Sequence, residues 1–502
     1  MISSLQLYDR PLGLMTDLYQ ITMVHGYWKL KMTEREAVFH LAFRQHPFDG
    51  GFTVACGLGG VIDFVRGLRF GEDDLAYLAT LCGDDGKPLF ENDFLKYLGE
   101  LKFTCDVDAV EEGTIVFPHE PLVRVQGPLL QCQLLETAFL NQINFASLVA
   151  TKAARICLAA HGEPVLEFGL RRAQGMDGAV TASRAAYIGG CAATSNALAG
   201  KIFGIPVKGT HAHSWVMCFA NESEAFDAYA QAMPNNCVFL VDTYDTLDGV
   251  RNAVKAGKKL CAKGRKLQGI RLDSGDLAYL SIEARKILDK AGFQNAAIIA
   301  SNDLDEDIIR SLKEQGATIG VWGVGTKLAT AYEQPALGGV FKLSAIRQED
   351  GNGGEGGMGG GWLHKIKLSE QLAKTSIPGI LQVRRFKIAN EFRADMIFDQ
   401  LTSSTPSSAG GIIVDPVDDT RRKTLPSHAT TEDLLVPIFR GGNLVYTPPT
   451  LETTRKRLQD QLAAFHPGIK RVVNPHEYPV GLEKNLYDLR HKMILQARGV
   501  PE

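Results

Sequence analysis

Between residues 163 and 345 the chain repeats one pattern: a short apolar run, then a polar cluster, then a helix-compatible segment. The runs occupy residues 164–169, 205–209, 237–241, 268–272, 296–300 and 318–322. Start-to-start separations across the later runs are about 20 to 35 residues, the size of a βα unit, so the strands are expected to pair in parallel. The clusters that follow the runs read RRAQGMDG, THAH, DTYDT, DSGD, SNDLDE and GVGTK. In a βα barrel the active site lies at that end of the strands. An open doubly wound sheet places ligands there too, so the spacing alone leaves closure open. The number of strand ends that carry polar groups favours closure, a βα barrel spanning residues 136–350.

The flanks read differently. Residues 1–135 mix helical and strand-like segments, with strand candidates at 37–44 and 114–118 between Gly-rich turns, and predict a separate N-terminal α+β domain. Residues 127–162 carry apolar residues at helical spacing and predict one helix or two leading into the barrel. The stretch 351–361, GNGGEGGMGGG, has the composition of a flexible loop or linker. Residues 362–502 form a C-terminal extension expected to pack on the other domains, with a strand near 434–439, an amphipathic helix near 453–465 and no catalytic motif.

Net charge is −3, which gives no general attraction to nucleic acid or to an anionic membrane. An anionic substrate must therefore be met by a local cluster of arginine and lysine. The nine cysteines are scattered, odd in number and never spaced C-x-x-C, a pattern of free thiols in a reducing compartment. The N-terminal residues lack a basic start followed by an apolar block, and no run of about 18 apolar residues occurs. The expected location is the cytoplasm, with neither membrane nor nucleic acid as partner.

Four segments carry candidate chemistry. GIRLDSGDL, residues 269–277, sets Arg271 and Asp273 two apart at a strand end, so both face one side. A guanidinium grips phosphate or carboxylate bidentately, and a carboxylate accepts from both hydroxyls of a ribose. The structural alternative is an ion pair that locks the strand end. WGVGTKL, residues 322–328, ends a strand in a small-residue loop, where backbone N–H groups after Gly323 and Gly325 are able to cradle a phosphate, with Thr326 and Lys327 adding a hydroxyl and a charge. The alternative is a tight strand-to-helix turn. EFGLRRAQGMDGA, residues 167–179, supplies Arg171 and Arg172. Neighbours in an extended segment point oppositely, so Arg171 is expected to face the site and Arg172 to form a structural pair.

GTHAHSW, residues 209–215, places His211 and His213 two apart. They suit a metal pair, or a nucleophile or general base, or a histidine that only satisfies backbone groups. No histidine lies between Ser214 and Gly361 to complete a His-rich metal site, which counts against a metal-dependent barrel hydrolase. Asp242, Asp245 and Asp303 suit magnesium held together with substrate phosphates, or helix N-caps, and metal ligands stay unassigned.

Taken together, these segments resemble the nicotinate phosphoribosyltransferase family. The matching stretches include TDLYQITMVHGYW, FRQHPFDGGFTVACGL, LLETAFLNQINFASLVATKAARI, EFGLRRAQGMDGA, PVKGTHAHSW, LVDTYDTLDGVRNAV, GIRLDSGDL, IIASNDLDE and VGTKLATAYEQPALGGVFKL, in the family order. Weaker matches, KTSIPG and LLVPIFRGG, lie beyond them. The resemblance implies the type II phosphoribosyltransferase architecture, an irregular α/β barrel joined to an N-terminal α+β domain to which C-terminal segments also contribute, and a homodimer with active sites near the subunit interface. It implies transfer from phosphoribosyl pyrophosphate to nicotinate, giving nicotinate mononucleotide and pyrophosphate in NAD salvage, with ATP as co-substrate and Mg²⁺ accompanying the phosphates.

Carried over residue by residue, His213 matches the histidine that ATP phosphorylates. Tyr19 and Thr210 match nicotinate-binding positions, Tyr19 reaching the partner's site. Arg271 matches a substrate-binding arginine and Thr326 a contact to phosphoribosyl pyrophosphate. Arg171, Asp273, Gly323 and Gly325 complete the expected substrate set, the ribose lying near Asp273 and the 5-phosphate on the Gly323–Thr326 loop. His211 departs from the family, which often has an apolar residue there, and Met176 stands where proline is frequent. The rival readings are an enzyme that uses nicotinamide, a metal-dependent barrel hydrolase built on His211 and His213, and a catalytically inert binding protein.

Overall fold

The computed structural model describes residues 11–348, 361–371, 374–403 and 410–500. The Gly-rich stretch 351–361 lies outside them except for Gly361. The chain divides into two compact units, one of residues 148–335 with 451–459, the other of residues 1–147, 336–450 and 460–502.

The first unit holds the repeating pattern. Its strands are β1 (Val165–Glu167), β2 (Ala193–Thr194), β3 (Val238–Leu240), β4 (Gly269–Leu272), β5 (Ala297–Asn302) and β6 (Val321–Val324). They pair in parallel in the order β2-β1-β6-β5-β4-β3. Strands buried on both faces read as apolar runs, and Phe239, Leu240, Ile270, Leu272, Ala300, Trp322 and Val324 are all fully buried. Helix Thr246–Ala262 shows how the crossovers form. Asp245 caps it by accepting from the Asp248 N–H at 2.8 Å, and it buries Val250, Ala253, Val254, Gly257 and Leu260 at three- and four-residue spacing. A Cβ on Gly249 would lie 2.0 Å from the Val241 carbonyl, so only glycine lets the helix start that close to the sheet.

The run at 205–209 does not become a strand. Pro206 removes a ladder donor, and only Val207 forms a single parallel bridge, to Thr194. β2, only two small residues long, leaves no periodic signal in the sequence. The stretch 127–162 forms two helices, Leu129–Leu134 and Glu136–Ala159.

The second unit contains a seven-stranded antiparallel sheet in which Glu36–Ala42 lies between Val340–Arg347 and Pro121–Pro128. Residues 340–347, expected to belong to the barrel domain, therefore lie in this sheet. Pairing across some 300 positions leaves no trace in local sequence. Conversely, residues 451–459, expected in the C-terminal region, cluster with the barrel unit, where Tyr187 donates to Glu452 (2.9 Å) and Arg455 to the Gly190 carbonyl (2.8 Å).

In a six-stranded sheet of the same unit Glu391–Asp399 lies between Leu381–Ile388 and Val480–Glu483. Here Arg385, fully buried, is bonded to Asp395 (2.6 Å) and ringed by Phe117, Phe392 and Phe465. Removing one partner of such a pair strands the other charge. Arg385→Ala is expected to cost about 3–5 kcal/mol, measured by urea unfolding. Among the described residues no helix is long and apolar enough to cross a membrane.

Candidate active site

The carboxyl ends of β1, β4, β5 and β6 and the segment after Val207 enclose a cleft of about 420 Å³. Arg171, Thr210, Arg271, Asp273, Gly323, Gly325 and Thr326 all line it.

Arg271 leaves β4 with its side chain only 15% exposed, its Nη2 3.8 Å from Asp273. Its Nη1 donates to Thr210 Oγ1 at 2.8 Å, while its Nε is buried and has no partner. Burial pulls its pKa below the usual arginine value, against the opposing pull of Asp273 and Asp242. A buried donor left unmade is costly. Asp273 is held in turn by the Ser301 hydroxyl.

Asp242, at the end of β3, braces the neighbouring strand end. Its Oδ2 accepts from the Asp273 N–H (2.8 Å) and the Ser274 hydroxyl (2.7 Å). Its Oδ1 is buried without a hydrogen-bond partner and lies 4.0 Å from His213 Nε2. Asp245, by contrast, is the N-cap already described. Asp303 lines the cleft.

The two histidines separate cleanly. His213 opens the short helix His213–Met217 and is 40% exposed. Its Nδ1 lies 3.1 Å from Thr243 Oγ1 and its Nε2 3.8 Å from Asp273 Oδ2. His211 is buried, its Nε2 accepting from the Leu240 N–H and its Nδ1 facing the Ala212 carbonyl. With both nitrogens of His211 engaged, the two imidazoles do not form a metal pair.

Two expectations change. Arg171 and Arg172 both line the cleft, because Leu170–Arg172 is a 3-10 turn and not an extended segment whose side chains alternate. Lys327 does not face the cleft but pairs with Asp305, the N-cap of helix Glu306–Glu314. Tyr19 lies on helix Leu18–Lys29 of the other unit, half exposed. Partial burial, with the Glu136 carboxylate adding, pushes its hydroxyl pKa up to about 12.

Residues not singled out individually in the sequence also build the cleft, most of them inside the EFGLRRAQGMDGA and SNDLDE segments. Phe168, Leu170, Ser195, Ser301 and Asn302 line it. Glu167 organises one wall from below: it is 1% exposed and accepts from Gly169 N–H, Ser183 (2.9 Å) and Thr194 (2.6 Å), which sets the turn that carries both arginines. The proximity of EFG to RR in the sequence was the one available hint.

A parallel α/β unit with paired arginines, a glycine loop and a carboxylate at its strand ends defines a site for a phosphorylated, anionic small molecule. The comparisons agree with that class. Models of the nicotinate phosphoribosyltransferase N-terminal domain, family and C-terminal domain match residues 14–144, 164–351 and 382–490. Nicotinate phosphoribosyltransferase of Bacillus subtilis is 42% identical, covering 98% of this chain and 97% of its own. The Homo sapiens enzyme is 34% identical, with 95% of each chain covered. The crystal structure of human nicotinic acid phosphoribosyltransferase superposes with a TM-score of 0.81 at 32% identity, covering 95% of this chain and 99% of that one. The chain belongs to the nicotinate phosphoribosyltransferase family.

Proposed function

We propose that the protein transfers the phosphoribosyl group of phosphoribosyl pyrophosphate to nicotinate, forming nicotinate mononucleotide and pyrophosphate. The observation that carries this reading is the largely buried Arg271 guanidinium, bonded to Thr210 and lining the same cleft as Arg171, Gly323, Gly325 and Thr326. One cation fits the nicotinate carboxylate; the other fits the donor's phosphates.

In this reading the 5-phosphate rests at the turn Thr326–Ala329, whose first N–H groups lack intrahelical acceptors, with Arg171 alongside. The ribose lies near Asp273. The pyridine nitrogen attacks C1 as the bond to pyrophosphate breaks, and the Asp273 carboxylate favours the positive charge that develops on the ribose ring. Orientation of two bound reactants supplies much of the acceleration.

Mg²⁺ suits the donor set in one form. Among the described residues no group of three His, Cys, Asp or Glu side chains is arranged to hold a metal. The cleft offers single carboxylates, Asp273 and Asp303, which fit an ion that arrives on substrate phosphates. Bound there, the ion would neutralise charge on the leaving pyrophosphate.

ATP hydrolysis is coupled through His213. Thr243 occupies its Nδ1, which leaves Nε2 to attack the terminal phosphorus with release of ADP. Water then cleaves the phosphohistidine to phosphate. Tyr19 is assigned to the nicotinate site of the partner in a homodimer, and the enzyme to the cytoplasm.

The test incubates the protein with phosphoribosyl pyrophosphate and either nicotinate or nicotinamide, with and without ATP. Nicotinate mononucleotide, increased by ATP, is the expected product. Product from nicotinamide alone, or none from either, would sink the reading. The glycine loop has its own test. A Cβ on Gly323 would lie 2.7 Å from the Phe168 ring, which walls the cleft. Gly323→Ala is expected to raise KM for phosphoribosyl pyrophosphate about tenfold, the effect of roughly 1.4 kcal/mol, with a smaller change in kcat in steady-state assays.

A further inference from the structure

The hydrogen-bonded strands of the barrel unit end at two edges, β2 and β3. Segment 205–213 spans the gap. Against β2 it uses its backbone, Val207 bridging Thr194 and the Lys208 N–H donating to the Thr194 carbonyl at 3.0 Å. Against β3 it does not. The Val241 N–H donates to Arg271 on β4 at 3.2 Å, so the Leu240 N–H, one residue earlier, turns to the outer edge. Leu240 is fully buried, and a buried N–H requires an acceptor.

The acceptor is a side chain. His211 Nε2 lies 3.3 Å from the Leu240 nitrogen, and its Nδ1 lies 3.3 Å from the Ala212 carbonyl oxygen. The two contacts together select the tautomer with the proton on Nδ1. The ring is wedged against Tyr229, centroids 4.8 Å apart, and near Phe226. Burial, reinforced by Arg271 and His213 and opposed by the Ala212 carbonyl, lowers its pKa to about 4, so Nε2 stays an acceptor at neutral pH. On either side of His211, Thr210 receives the Arg271 bond and His213 abuts Thr243.

We propose that His211 is a positioning residue: its imidazole takes the place of a missing strand, closes the barrel at β3, and so holds Thr210 and His213 at the mouth of the cleft. The kinetic consequence rests on the transferase reading above; the closure itself does not. The residue is thus neither a metal ligand nor a spectator.

The test compares His211→Leu, of similar bulk without an acceptor, with His211→Gln, whose Oε1 reaches the place of Nε2. In the full-length protein, hydrogen–deuterium exchange at Leu240 is expected to be slow in the wild type and His211→Gln and fast in His211→Leu. KM for nicotinate is expected to rise about tenfold in His211→Leu, with kcat less affected, and to stay within about threefold of wild type in His211→Gln. Equal behaviour of the two variants would overturn the proposal. So would a His211→Leu protein that melts lower yet keeps the wild-type KM at permissive temperature. If His211→Leu does not fold, the wild-type amide still decides, since rapid exchange at Leu240 contradicts the closure. A wild type without transferase activity would defeat the functional reading alone, because the exchange experiment needs no substrate.

Discussion

Arg271→Ala is expected to lower kcat/KM for nicotinate by about a hundredfold or more. The guanidinium is largely buried, so an anion bound to it is shielded from water, and truncating one side of a buried charge pair costs about 2–5 kcal/mol. Each 1.4 kcal/mol is about a factor of ten. The variant also leaves Thr210 without the donor that orients it. Arg271→Lys retains charge but loses the planar fork, and should recover only part of the activity. Steady-state kinetics with nicotinate as varied substrate check both. An Arg271→Ala enzyme within threefold of wild type would remove the basis for carboxylate recognition.

His213→Ala is expected to abolish ATP hydrolysis while uncoupled phosphoribosyl transfer persists at a reduced rate. The imidazole is partly exposed beside the cleft-lining Asp273, with one nitrogen held by Thr243 and the other near two carboxylates, and the imidazole that does line the cleft, His211, has no free nitrogen. His211 cannot substitute, because its Nε2 is committed to Leu240. The measurement is ADP release together with acid-labile, base-stable phosphate on the protein after incubation with labelled ATP. Full ATP-coupled turnover in this variant would refute the phosphohistidine assignment. Thr243→Ala offers a gentler probe, since freeing Nδ1 should slow phosphorylation without removing the acceptor.

Much of the cleft was legible in the chain. Arg271 and Asp273 share a side because they stand two apart at a strand end, a rule that holds wherever a strand exists. The glycine loop followed from a strand that stops in small residues before a helix. Other features were not legible. Arg172 joins Arg171 because the chain makes a 3-10 turn, set by the Glu167 carboxylate reaching Ser183 and Thr194. Lys327 is lost to the site because Asp305, more than twenty positions away, captures it.

Amino-acid order by itself determined the βα repetition, the polar strand ends, the anion-gripping residue types and the family, because backbone periodicity and motif spacing are local properties. Only the tertiary structure decided which neighbouring side chain faces the cleft, which histidine stays available, and where residues 340–347 pair. Those outcomes depend on partners brought together from distant positions, and a buried donor or acceptor takes whichever partner the fold sets beside it.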